Sequence, residues 1–172
     1  PNRPTPETAL VYPGMCLVEG TNLSEGRGTT RPFELVGAPW LDGHRLAADL
    51  AREGLPGVGF RPASFVPTWD KHAGVRCHGV ELVVTDPARF RPFRTGLAAV
   101  VHARGQDPAR FGWRTEPYEF VADVPAFDLL CGSSREREAI LAGATVSDMA
   151  RAFLPEERAF ARRRAPYLRY AG

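Results

Sequence analysis

The apolar positions of this chain repeat at two intervals, and each change of interval marks an element. In residues 78–85, HGVELVVT, Val80, Leu82 and Val84 alternate with Glu81 and Val83, the two-residue period of a strand with one buried face. Residues 57–67, GVGFRPASFVP, read as a second strand with Val58, Phe60 and Phe65 inward. FELV at 33–36 predicts a short strand closed by Gly37 and Pro39. The interval becomes helical over 43–53, where Leu46 and Leu50, and Ala47 and Ala51, fall four apart. Asp42 is placed to cap this helix and Gly54 to end it. Asp86 and Pro87 begin a turn, and a helix over about 94–104 then carries Leu97, Val100 and Val101 at helical spacing. FDLLCGSSREREAILAG, 127–143, predicts a short helix, a turn and a second helix capped by Ser133 or Ser134, with Glu136 or Glu138 as reciprocal partner. Residues 145–164 read as a helix pair around Pro155. Residues 9–18 are apolar but hold Pro13-Gly14, so they form a short strand or a bent turn of helix. The strands alternate with helices, yet few are continuous apolar runs. The expected class is therefore α+β, a small mixed or antiparallel sheet covered by helices on one face.

Composition adds limits more than detail. The 172 residues suit one domain with a real core, expected over 9–172, and 44% hydrophobic against 24% charged residues is ordinary for a globular chain. A formal charge of +2 is too weak to argue for nucleic acid. No apolar run approaches the roughly 20 residues of a membrane helix. Cys16, Cys77 and Cys131 are odd in number and widely spaced, which argues against a disulfide framework or zinc site and for small core residues. Pro1 to Thr8, PNRPTPET, reads as an extended Pro-rich linker belonging to a longer chain.

The candidate chemistry concentrates in residues 17–34, LVEGTNLSEGRGTTRPFE. An apolar approach runs into Glu19, Thr21, Asn22, Ser24, Glu25, Arg27, Thr29 and Thr30, punctuated by Gly20, Gly26 and Gly28. A phosphate loop needs a Lys and a Ser or Thr opening a helix; this loop has no Lys and leads to Pro32 and a strand. A hard-cation loop needs alternating carboxylates, and only Glu19 and Glu25 are present, so no metal is expected. Sugars present hydroxyls and amides, which Thr, Asn, Ser, Glu and Arg match. Glycosidic chemistry needs one carboxyl protonated and another ionised or positioned. A purely structural reading stands beside this one: Arg27 pairs with Glu19 or Glu25 to brace a long loop, while Thr and Ser satisfy backbone groups. A second cluster lies at 67–82, PTWDKHAGVRCHGVEL, where Lys71 and His72 beside Trp69 could hold an anionic or sugar group. Its bland alternative is a solvated loop with Trp69 in the core.

At these two clusters the chain resembles a known family. YPGMCLVEGTNLSEGRGTTRPFELVGAPW (12–40), KHAGVRCHGVELVVTD (71–86) and RAPYLRY (164–170) are similar to the C-terminal half of the exo-β-N-acetylmuramidases called NamZ, long catalogued under a domain of unknown function. The resemblance covers essentially the whole chain. It implies a peptidoglycan-recycling glycoside hydrolase that releases N-acetylmuramic acid from non-reducing ends. It also implies a Rossmann-like N-terminal half, absent here, that carries the principal catalytic glutamates, with Pro1 to Glu7 as the join. On that resemblance Glu19, Thr21, Asn22, Ser24, Glu25, Arg27, Lys71 and His72 are the substrate-binding candidates. Glu19 is the best local candidate for a catalytic carboxyl, and Arg27 a clamp for the lactyl carboxylate. No cofactor is expected. The partners are muramic acid saccharides from peptidoglycan and the N-terminal domain, and the substrate class favours a location outside the cytoplasm. The competing classes are a non-catalytic carbohydrate or cell-wall binding module and a structural module.

Overall fold

The computed structural model describes residues 4–169. Its elements in chain order are α1 (Pro6–Met15), a 3-10 turn (Cys16–Gly20), β1 (Leu35–Ala38), α2 (Gly43–Arg52), β2 (Val58–Phe65), β3 (Cys77–Val84), α3 (Pro92–Gln106), α4 (Ala126–Cys131), α5 (Arg135–Leu141), α6 (Val146–Arg164) and a closing 3-10 turn (Ala165–Tyr167). The sheet is antiparallel throughout in the order β1-β3-β2. Leu35 pairs with Glu81 and Ala38 with His78 on one side of β3, and Val58 pairs with Val84 and Phe65 with Cys77 on the other. The α+β expectation with a small sheet is met.

The two-residue period of β3 sorts its faces as read. Val80 and Leu82 are buried against Leu46, Leu50, Leu97 and Val100 of the helices. Glu81 turns to the opposite face, where it pairs with Arg61 (2.7 Å) and Arg31 (3.0 Å). Asp42 caps α2 by accepting from the Arg45 N–H at 3.0 Å, and Gly54 (φ 61°) follows its last turn, both as expected. All three cysteines are free thiols; Cys77 is fully buried, and burial pushes its thiol up to about 11.

Four expectations are corrected. Residues 6–8 are not extended but form the first turn of α1. Thr5 (φ −136°, ψ 159°) caps that helix by accepting from the Thr8 N–H, and Pro6 sits at the first helical turn, where its missing N–H leaves no bond unmade. The Thr8 hydroxyl, fully buried, also donates to Glu34 Oε1 at 2.7 Å. β1 begins at Leu35 and not 33, because Phe33 takes a left-handed turn conformation (φ 67°) with its N–H on Glu25 O. The 133–138 segment lacks the reciprocal cap. Ser134 makes no side-chain cap bond, whereas Ser133 donates to Glu136 Oε2 at 2.6 Å. Lastly, α6 is one helix through Pro155, not a pair. The carbonyl that Pro155 cannot satisfy belongs to Arg151, an exposed residue, so water can take it.

Helices α1 and α3 cross backbone to backbone. A Cβ at Gly14 would stand 1.8 Å from Pro92 O, and one at Gly96 would stand 2.1 Å from Gly14 O. This crossing sets the angle at which the 3-10 turn delivers Glu19 to the surface of the core. Gly14→Ala should therefore lower stability by about 1–3 kcal/mol through overpacking. Urea denaturation measures it, and an unchanged midpoint would remove the crossing from the account.

Candidate functional site

The 3-10 turn Cys16–Gly20 and the loop after it are held by two other segments. Residues 111–114 run alongside residues 20–22: the Asn22 N–H donates to Gly112 O (2.9 Å) and the Arg114 N–H to Gly20 O (2.9 Å). Asn22 completes the seam through its side chain, donating to Arg110 O (2.7 Å) and accepting from the Gly112 N–H (3.0 Å). From the other side comes the β2–β3 connection, residues 66–76. Its Thr68 N–H and hydroxyl both donate to Gly28 O, at 3.2 and 2.9 Å. Asp70 (φ 65°) and His72 (φ 59°) are left-handed, a strained arrangement for non-glycine residues. That backbone brings Lys71 Nζ onto Val18 O (3.0 Å) and Thr21 O (3.1 Å), and puts His72 Nε2 at hydrogen-bond distance (2.8 Å) from Asn22 O. The two sequence clusters, some 50 residues apart, are thus one structure.

Beneath this seam lies a buried ion cluster. Arg27 Nε meets Glu25 Oε1 at 2.7 Å and its Nη2 meets Glu19 Oε2 at 3.2 Å; Asp70 Oδ2 lies 3.6 Å from Nε. Lys71 Nζ pairs with Glu25 Oε2 at 2.7 Å. The Arg27 guanidinium also sits 5.0 Å from the Phe33 ring centroid and 5.8 Å from that of Trp69. Burial opposes its charge, yet Glu19 and Glu25 outweigh burial and raise its pKa further. Tyr118 closes the cluster by donating its hydroxyl to Glu19 Oε2 at 3.0 Å. Burial first, and then the neighbouring Glu19 carboxylate, push that hydroxyl well above the usual phenol range, so it stays a donor. Glu19 Oε1 is buried with no hydrogen-bond partner among the described residues.

Above the cluster is an open cleft of about 520 Å³ lined by Thr21, Asn22, Asp70, Lys71, His72, Trp113, Arg114, Thr115 and Glu116. The sequence candidates therefore divide. Thr21, Asn22, Lys71 and His72 line the cleft. Glu19, Glu25 and Arg27 form the ion cluster below it, the bracing arrangement. Ser24 is buried, and its backbone N–H and C=O exchange bonds with Gly37. Trp69 is half-exposed, its ring centroid 5.8 Å from the Arg27 guanidinium, and not in the core. Sequence reasoning missed Asp70, Trp113, Arg114, Thr115, Glu116 and Tyr118. The signal available for most of these was the aromatic, charge-interleaved run at 111–120, which has no period to point it at a partner. Among the described residues, no group of three or more His, Cys, Asp or Glu could hold a metal ion. Nor is any helix long and apolar enough to cross a membrane.

Arg27→Lys tests the brace. A single ammonium cannot span Glu19 and Glu25 as the guanidinium fork does, so about 1–2 kcal/mol of stability should be lost. A thermal melt indistinguishable from wild type would show that the fork is dispensable.

What fold and cleft define is an α+β domain whose polar, aromatic-edged cleft is built over a buried ion cluster. The chain belongs to the family described as Exo-beta-N-acetylmuramidase NamZ, C-terminal, whose model matches residues 10–170. It is 42% identical over 170 residues to the peptidoglycan beta-N-acetylmuramidase NamZ of Bacillus subtilis (strain 168). That match takes in 99% of this chain but 39% of the relative, so the chain spans about two-fifths of the curated relative's length. Among solved structures, one DUF1343 family protein from Bacteroides fragilis NCTC 9343 matches 98% of this chain and 43% of its own, with a TM-score of 0.77 at 24% identity. A second from the same organism matches 99% of this chain and 44% of its own, with a TM-score of 0.64 at 25% identity.

Proposed function

We propose that this chain is the cleft-forming C-terminal domain of a glycoside hydrolase that releases N-acetylmuramic acid from the non-reducing ends of peptidoglycan fragments. The observation that carries the reading is the seam itself: both family-like motifs converge on one open cleft edged by hydroxyl, amide and cationic groups. The 42% identity to a peptidoglycan beta-N-acetylmuramidase supports the substrate class. The principal catalytic carboxyls belong to an N-terminal domain of the longer protein, which closes the cleft from the far side. Glu19, the local carboxyl the resemblance favours, lies beneath the cleft with Oε2 held by Tyr118 and Arg27 and Oε1 buried, so its part here is to brace the cleft floor.

The lactyl carboxylate of muramic acid needs a cation that faces the cleft. Two of the three Arg27 nitrogens are engaged by Glu25 and Glu19, so that role passes to Arg114, which lines the cleft. A full-length protein should cleave a chromogenic N-acetylmuramic acid glycoside in preference to its N-acetylglucosamine counterpart. In Arg114→Ala that preference should fall roughly 10- to 150-fold, the weight of a charge-assisted hydrogen bond. Binding of muramic acid saccharides without any release would favour the non-catalytic module instead.

A further inference from the structure

Helix α6 outruns the body that supports it. Val146 and Met149 are buried, and Phe153 packs edge-on against Phe93 with centroids 5.6 Å apart. Phe160 returns to the same face two turns after Phe153, past Glu156 and Glu157: residues 146, 149, 153 and 160 fall within about 60° of one another on a helix of 3.6 residues per turn. Yet Phe160 is 54% exposed, and Leu154 on the flank is 43% exposed. The closing turn adds Tyr167 and Leu168, 82% and 54% exposed. A face that begins as an internal interface thus ends in exposed apolar side chains, with the Arg163 guanidinium 5.5 Å from the Phe160 ring centroid.

We infer that the outer half of α6, residues 154–168, is a docking surface for the N-terminal portion of the longer protein. The inference rests on the reading above that such a portion exists. Two observations choose this occupant. Phe160 shares its helix face with Val146, Met149 and Phe153, which pack inside the domain. And the chain accounts for only 39% of the curated relative and for 43% and 44% of the two solved ones, so each has more than half its length to place against this domain. Arg163 lies beside this face, and Glu156 and Glu157 occupy the turn before Phe160, so the portion that docks meets a margin of mixed charge.

Hydrogen exchange on the full-length protein tests this directly. Amides 156–164 should be protected to a degree independent of protein concentration. Phe160→Asp should speed their exchange roughly tenfold or more while leaving α3 unchanged, since it removes an apolar anchor worth about one to two decades. Should that variant fail to fold, Phe160→Ala is read the same way with a smaller change. Exchange of 156–164 near the unstructured rate in the wild type would overturn the proposal. So would protection that grows with protein concentration, which means a second copy, or that appears only with vesicles of anionic lipid, which means a membrane surface. Activity on the muramic acid glycoside is measured on the same sample. An inactive protein with a protected helix counts against the function alone, and an active one with an exposed helix counts against the docking surface alone.

Discussion

Replacing Glu25 by alanine in this 172-residue chain should cost about 3–5 kcal/mol of stability, the range for breaking a buried ion pair from one side. Glu25 is 2% exposed and serves two cations, Arg27 at 2.7 Å and Lys71 at 2.7 Å. Without it, Lys71 keeps only the Val18 and Thr21 carbonyls, and Arg27 keeps Glu19. Two partly desolvated positive charges are then left with Glu19 at 3.2 Å and the more distant, partly exposed Asp70 at 3.6 Å, both on Arg27. The contrast is Glu156→Ala. Glu156 pairs with Arg135 at 2.9 Å, but both side chains are more than half exposed, so under about 1 kcal/mol should be lost. Paired urea titrations decide the matter. If the two variants lose the same amount, the cluster under the cleft is no more than a surface ion pair.

The largest effect on activity should come from the chain as it stands. This domain alone should turn over a muramic acid glycoside at least about a thousandfold more slowly than the full-length protein, because positioned acid–base groups supply 10²–10⁴-fold of a rate. Glycosidic cleavage needs two carboxyl groups roughly 5–9.5 Å apart with the sugar between them. Here Glu19 and Glu25 are both buried and both tied to Arg27, so no sugar fits between them. Asp70 and Glu116 do line the cleft, but Asp70 is drawn toward Arg27 Nε at 3.6 Å. A comparable rate from the two proteins would mean that a pair on this domain suffices, and the division of labour between domains would fall.

The parts of the fold that could be read in advance are those decided locally. The strand at 77–84 follows from alternation, and α2 follows from Asp42, Leu46, Leu50 and Gly54, each within a turn or two of its neighbour. What could not be read was settled by distant contacts. Phe33 leaves the strand because its N–H is taken by Glu25 O, eight residues back and inside the loop. Arg27 could be seen to have Glu19 or Glu25 within reach, but not that it would take both. Lys71 and His72 could be marked as donors, but not that their targets would be backbone carbonyls of the first cluster. Tyr118 lies 99 residues from Glu19 in a stretch broken by prolines, and nothing in its neighbourhood announces the pairing. Ser24 matched sugar chemistry by residue type alone, and its real service to the backbone of Gly37 depends on a sheet edge that spacing cannot reveal.

The Thr5 cap and the Thr8–Glu34 bond have a mechanical meaning. The Thr5 and Thr8 hydroxyls lie 3.1 Å apart, Thr5 Oγ1 reaches Glu34 Oε1 at 3.5 Å, and Arg31 holds the other oxygen of the same carboxylate at 3.2 Å. The first turn of α1 is therefore lashed to the residue that precedes β1 and does not swing as a tether. From Thr5 on, α1 behaves as a rigid lever. Its fulcrum is the glycine crossing with α3, and its far end is the turn that carries Glu19. Motion upstream would arrive at the ion cluster as a change of angle, not as slack.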